Sequence, residues 1–152
     1  MNQWLTEYAS SHGNKTNKTV HFICVPLIFF TIVAFAYCIK LYSFSGGFTF
    51  TLAHAVLIFV AGYYFLLSVP LAIGMTLYSL LCILLCGLIQ EASGGNLLWM
   101  ALGIFVTAWI FQFWGHSVEG KKPSFLKDIQ FLMIGPAWVM SYIYKKAGLS
   151  IG

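Results

Sequence analysis

Long stretches without charged side chains constrain this chain most. Between Lys40 and Glu91 lie 50 residues without Lys, Arg, Asp or Glu, and another 27 such residues lie between Glu91 and Glu119. Only 8% of all residues are charged, whereas a soluble domain usually has about 25% charged residues. Apolar stretches of about 18 or more residues are typical of membrane-spanning helices. The sequence therefore predicts a multi-pass membrane protein, and a helical one because the apolar runs are continuous and do not alternate.

The predicted fold is an all-α membrane helical bundle with four spans and a short C-terminal helix. We expect Pro26 in the first turns of the first span, where proline is tolerated best. Ser68-Val69-Pro70 divides a long apolar run in two, because proline disfavours helix in the residue before it. The last segment contains Gly135-Pro136 and is expected to be a re-entrant or interfacial helix. Within this single domain, residues 1–152, the predicted ranges are a polar lead-in at 1–20, a turn at 43–49, spans at about 22–42, 51–67, 71–89 and 97–115, and the final segment at 124–148.

The lysines predict how the chain is oriented. The net charge of +4 comes from eight lysines without arginine, which argues against a nucleic-acid partner. With four crossings, most lysines lie on one face, and the positive-inside rule makes that face cytoplasmic, with Lys40 as the exception. The lysines on this face would be Lys15, Lys18, Lys121, Lys122 and Lys127. The expected membrane is the endoplasmic reticulum in a eukaryote or the inner membrane in a bacterium, and the sequence predicts no particular oligomeric state.

Four crossings would also bring two polar segments to the same membrane face. These segments contain His12, Asn14, Asn17 and His21 at the start of the first span, and Gln112, His116 and Glu119 at the end of the fourth. Residues three or four apart share a helix face, as His21 does with Asn17 and His116 with Gln112. Polar groups at membrane depth are costly unless they are paired or coordinated. Imidazoles with a carboxylate and amides fit a metal site, and two or three histidines with open positions are typical of non-haem iron that activates oxygen.

Other interpretations of these residues stay open at this point. A histidine at a membrane interface is usually only a polar interfacial residue, which is the interpretation we favour for His54. Glu119 could pair with Lys121 or Lys122, and Gln112 could form a hydrogen bond between helices. The spacing does not name the metal. The alternatives are a non-catalytic membrane carrier or assembly module, or a zinc-dependent intramembrane hydrolase in which Glu119 is the general base.

Three blocks of the sequence resemble those of one known family. The first block contains Tyr8, His12, Asn17, His21 and Pro26. The last block reads Trp109-Ile-Phe-Gln112-Phe-Trp-Gly115-His116 and continues with Glu119, Lys121, Lys122 and Pro123, while Tyr64 to Pro70 with Gly74 matches a middle block more loosely. In these blocks the chain is similar to the membrane-embedded Mpo-type 2-hydroxy fatty acid dioxygenases over nearly its whole length. It departs from them in the spacing between His116 and Glu119 and in Gly13, where a histidine is often found.

The resemblance implies an Fe2+-dependent dioxygenase of fatty acid α-oxidation. Such an enzyme converts a 2-hydroxy long-chain fatty acid and O2 into the fatty acid one carbon shorter, which in fungi serves the breakdown of a sphingolipid base. The acyl tail is expected to lie between the helices within the lipid bilayer. The implied roles are metal ligands for His12, His21 and His116, a further catalytic residue in Glu119, orientation of the imidazoles by Asn17 and Gln112, and binding of the substrate carboxylate by Lys121 or Lys122.

Overall fold

The computed structural model describes residues 14–120 and 134–148. The described residues form α1 (Lys15–Tyr37), β1 (Lys40–Ser43), β2 (Thr49–Thr51), α2 (Leu52–Leu67), α3 (Val69–Ala92), α4 (Leu97–Glu119) and α5 (Ile134–Lys146). The chain is mostly helical, as predicted. The described residues divide into two compact units, one of 14–29, 105–120 and 134–148, and the other of 30–104.

The helices have the length and surface of a membrane protein. Among the described residues, α1, α3 and the part Leu97–Val118 of α4 are long and apolar enough to span a bilayer. Large apolar side chains point outward, such as Phe59 at 80% exposure and Leu66 at 89%, as expected where lipid replaces water. Helix α2 has 16 residues and is about 24 Å long, which is less than the ~30 Å of a hydrocarbon core. The prediction of four spans is therefore not confirmed.

Helix α1 begins well before the predicted span at 22–42, because Asn14 caps it. The Asn14 Oδ1 accepts a hydrogen bond of 2.8 Å from the backbone N–H of Thr16. Such a cap satisfies a backbone donor that the first turn leaves unpaired and contributes about 1 kcal/mol. Part of the predicted polar lead-in at 1–20 is thus helical. The expected place of Pro26 in the first turns is wrong, since this residue lies in the interior of α1.

A β-hairpin follows α1 where the sequence predicted the end of a span and a turn at 43–49. Strands β1 and β2 are antiparallel, with Lys40 opposite Thr51 and Ser43 opposite Thr49. Gly47 in the connecting loop has a φ of 85°, a conformation that glycine adopts without strain. The purely helical prediction missed these strands because they are short and lie between long apolar runs that dominate the pattern.

The division between α2 and α3 is confirmed at the predicted place. Ser68 has an extended backbone with φ −168° and ψ 123°, and Pro70 follows in the first turn of α3. Proline suits that position because the first turn leaves its backbone nitrogen without an intrahelical partner. The two helices pack against each other, and their fully buried side chains include Tyr64, Leu71 and Met75.

Helix α5 lies within the predicted final segment at 124–148. Its described part has 13 residues and is about 20 Å long, which is shorter than a span. Gly135-Pro136 does not interrupt this helix and lies within its described part. That α5 is re-entrant or interfacial stays a prediction.

Candidate metal centre

The start of α1 and the end of α4 come close together at a glycine. A Cβ atom on Gly115 would lie 2.7 Å from Asn17 Oδ1 and 3.3 Å from Val20 Cγ1. Non-bonded contacts of a Cβ atom are essentially never shorter than 3.0 Å, so any side chain at this position would displace one of the two helices or the Asn17 amide. The absence of a side chain at Gly115 therefore lets α1 approach α4 at the turn that carries Asn17.

Four polar side chains are buried around this contact. Asn17 is 0% and His21 2% exposed on α1, while Gln112 is 6% and His116 7% exposed on α4. On each helix the carboxamide stands one turn before the histidine, so both fall on one helix face. Removing such groups from water is costly unless they are hydrogen-bonded or coordinated. The predicted sharing of a face within each pair is confirmed.

The two histidines meet ring against ring. The His21 and His116 ring centroids are 4.9 Å apart, and the ring planes are at 89° to each other. Two imidazoles on one metal ion have centroids about 4.5–5 Å apart, because each nitrogen lies about 2.1 Å from the ion. A T-shaped pair of rings without a metal also has this separation. The distance thus allows both rings to bind one ion without requiring it.

The hydrogen bond of His21 indicates which of its nitrogens could bind a metal. Its Nδ1 lies 3.1 Å from the backbone carbonyl oxygen of Asn17. A carbonyl oxygen only accepts, so Nδ1 of the neutral ring carries the proton and donates it, and Nε2 is the nitrogen that would serve as the metal ligand. Histidine ligands of metals usually have such a second hydrogen bond, which fixes the tautomer and the ring orientation. The donor set around His21 therefore fits a metal such as iron, which imidazole suits.

Not all predicted ligands can be placed beside this pair. His12, Lys121 and Lys122 lie outside the described residues, and of Glu119 only the backbone position, at the end of α4, is described. Within residues 14–120 and 134–148, no three His, Cys, Asp or Glu side chains gather as a metal-binding group. The described part of the centre is thus two histidines and two carboxamides. A third ligand, predicted to be His12, stays a prediction.

His54 has a local role at the start of α2. Its Nδ1 accepts a hydrogen bond of 3.1 Å from the backbone N–H of Thr51 and lies 2.8 Å from the Thr51 hydroxyl oxygen. The ring stacks on Phe50 with a centroid distance of 5.4 Å. These contacts hold the first turn of α2 against the hairpin. They account for a histidine at this position without a role as a metal ligand.

An aromatic group lies on the next face of α1. The Phe22 ring is 5.1 Å from the Trp138 ring and 4.7 Å from the Tyr142 ring of α5. The Lys18 Nζ lies 4.9 Å from the centroid of the Tyr142 ring. Local sequence patterns did not predict this group, because residues 18 and 142 are far apart in the chain and only packing brings them together. Gly115 was likewise noted in a motif without a role.

Comparisons with known proteins bear on the identity of the chain. The family model described as "2-hydroxy-palmitic acid dioxygenase Mpo1-like" matches residues 1–147. A curated relative, the 2-hydroxy-palmitic acid dioxygenase MPO1 of Saccharomyces cerevisiae, is 29% identical over 143 residues, which are 93% of this chain and 78% of the yeast protein. No solved structure gives a significant match. The family resemblance found in the sequence is confirmed.

Proposed function

The chain belongs to the Mpo1-like family, and from this membership we propose that it is an Fe2+-dependent dioxygenase in a membrane. The proposed reaction converts a 2-hydroxy long-chain fatty acid and O2 into the fatty acid one carbon shorter. It balances if the lost carbon leaves as carbon dioxide and the hydrogen as water, because the acid then gives up as many electrons as one O2 takes up. No further reductant is needed.

The observation that supports this proposal is the buried pair of His21 and His116. Two imidazoles excluded from water, one of them fixed by its bond to the Asn17 carbonyl oxygen at 3.1 Å, provide two nitrogen donors. Fe2+ in such a site, when bound, supplies the activation of O2 and open positions for the oxygen atoms of a 2-hydroxy acid. His12 is proposed as the third ligand and Glu119 as a further catalytic residue.

The other residues of the chain hold the donors in place. The backbone of Asn17 orients His21, and its side chain fills the space beside Gly115. Gln112 stands one turn before His116, and its side-chain carboxamide is proposed to orient that ring. The low exposure of all four side chains keeps water away from the reacting groups. A location on the cytoplasmic side, inferred from the lysines, is part of the proposal.

The test combines metal analysis with oxygen uptake on 2-hydroxypalmitate. We expect about one iron per purified chain and loss of 2-hydroxypalmitate only when O2 is present. His21→Ala and His116→Ala should each lose the iron and at least about 100-fold in rate, since both are proposed ligands. His54→Ala is the matched control, because the described contacts of His54 are with Thr51, with rings of the hairpin and with Tyr37 at the far end of α1 from His21.

The outcome decides between the functions that the sequence left open. Iron with oxygen uptake, lost in both site variants and kept in the control, supports the dioxygenase. Zinc without oxygen uptake would support the hydrolase, and no tightly bound metal would support a carrier or assembly module. Full activity in His21→Ala or His116→Ala would refute the ligand assignment even if the reaction itself is found.

A further inference from the structure

A half-buried lysine near the start of α1 is held between aromatic rings. The Lys18 Nζ lies 4.9 Å from the Tyr142 ring centroid and 5.9 Å from that of Trp138. Both distances are within the ~6 Å over which a ring face attracts a cation. Phe22, one turn further along α1, contacts both rings and completes the group. The ammonium is therefore confined to one place by packing, unlike that of a freely moving surface lysine.

This ammonium stands beside the histidine pair. Lys18 directly follows Asn17, which contacts the Gly115 position, and it precedes His21 by three residues. Side chains three apart on a helix have Cβ atoms about 5–6 Å from each other. The histidine pair and the aromatic group thus occupy neighbouring faces of the same two turns of α1. A small anion could contact both.

We propose that Lys18 binds the carboxylate of the fatty acid substrate. The inference rests on the proposed function. It assigns carboxylate binding to Lys18, whereas the sequence predicted Lys121 or Lys122 for this role. In a 2-hydroxy acid the charged carboxylate is attached directly to C2, the carbon that the proposed reaction oxidises. A cation beside the metal centre would therefore position C2 by binding the carboxylate. Aromatic faces attract the ammonium but do not replace a carboxylate as acceptor for its three N–H donors.

The chain offers a matched control on the same helix. Lys15 is exposed and contacts no ring of the described residues, whereas Lys18 is half-buried under two rings. Both lysines contribute equally to the net charge of the protein and to its attraction for fatty acids at the membrane surface. If Lys18 forms a specific carboxylate site, Lys18→Gln weakens fatty acid binding more than Lys15→Gln does. If only the general charge matters, the two substitutions weaken binding equally.

The experiment measures binding without turnover. Palmitate lacks the 2-hydroxyl group, and methyl palmitate also lacks the charge. Their dissociation constants are measured by equilibrium dialysis of radiolabelled ligand with the protein in phosphatidylcholine nanodiscs. Lys18→Gln should weaken palmitate binding by about tenfold or more, as expected for a lost charged hydrogen bond, and should leave methyl palmitate unchanged. Lys18→Arg should retain most of the affinity, and Lys15→Gln should match the wild type.

Several results would overturn the proposal. Equal losses in Lys18→Gln and Lys15→Gln would indicate surface charge, and a parallel loss for methyl palmitate would indicate damage to packing. A loss confined to the double variant Lys121→Gln, Lys122→Gln would return the role to those residues. An effect of Lys18→Gln seen only with phosphatidylglycerol in the nanodiscs would assign the lysine to a lipid phosphate. Because palmitate binding needs no oxygen chemistry, absent oxygen uptake by the wild type would refute the reaction and not the role of Lys18.

Discussion

Replacement of Gly115 by alanine tests the geometry of the centre most directly. The new Cβ atom would lie 2.7 Å from Asn17 Oδ1, at least 0.3 Å short of the 3.0 Å limit for such contacts. Rotation of the Asn17 side chain is opposed by its complete burial, and Val20 stands 3.3 Å from the same point. We expect α1 and α4 to move apart at the turn where His21 and His116 meet.

The energetic effect is the difference between two terms. Inserting a methyl group into a packed contact costs about 1–3 kcal/mol. Replacing a helical glycine by alanine returns about 1 kcal/mol through lower backbone entropy in the unfolded state. The net destabilisation is therefore about 0–2 kcal/mol, small enough for the protein to fold. The effect on the centre should be larger, because disturbing the groups behind a metal ligand typically costs 10- to 100-fold in metal affinity or activity.

Gly103→Ala is the matched control for this substitution. Gly103 is on the same helix, and apart from its chain neighbours and the backbone of its own helix no atom of residues 14–120 and 134–148 lies within 4 Å of the place where its Cβ would stand. Gly103→Ala should gain the stability that alanine brings to a helix, without a close contact of the new Cβ atom. It should keep the iron content and oxygen uptake of the wild type. Thermal unfolding in detergent, iron per chain and the rate with 2-hydroxypalmitate are measured for both variants. If Gly115→Ala retained wild-type iron affinity and rate, the close contact at Asn17 would have no part in positioning the histidines.

Three further predictions follow from the same contacts. Asn14→Ala should lower the stability of the protein by about 1 kcal/mol, because it removes the capping oxygen. Asn14→Asp keeps a capping oxygen and should not lower it. Equal melting temperatures of the two variants would contradict the cap. Gln112→Ala should reduce iron affinity about tenfold in a chelator competition, and an unchanged affinity would remove its proposed role in orienting His116. Removal of the metal by a chelator should abolish oxygen uptake, with recovery on addition of Fe2+ but not Zn2+; equal recovery with Zn2+ would refute iron chemistry.

Local sequence patterns predicted much of this protein correctly. The apolar runs predicted long apolar helices, and Pro70 predicted the boundary between α2 and α3, since a proline acts on its own neighbours in the chain. The i, i+4 spacing placed His21 with Asn17 and His116 with Gln112. The start of α1 was missed although Asn14 is a favourable N-cap residue, because a single polar residue in a polar segment gives a weak signal against a long apolar run.

The sequence by itself determined that this chain is helical and apolar, and which polar residues stand on the same turn of one helix, because these properties depend on neighbours within a few residues. It also carried the family signature from residue 1 to 147. Only the tertiary structure decided that the His21 and His116 rings lie 4.9 Å apart, that Gly115 makes room for Asn17, and that Lys18 is held by rings of α5. Those contacts join residues 95 to 124 positions apart in the chain, and close packing of helices, not local preference, selects them.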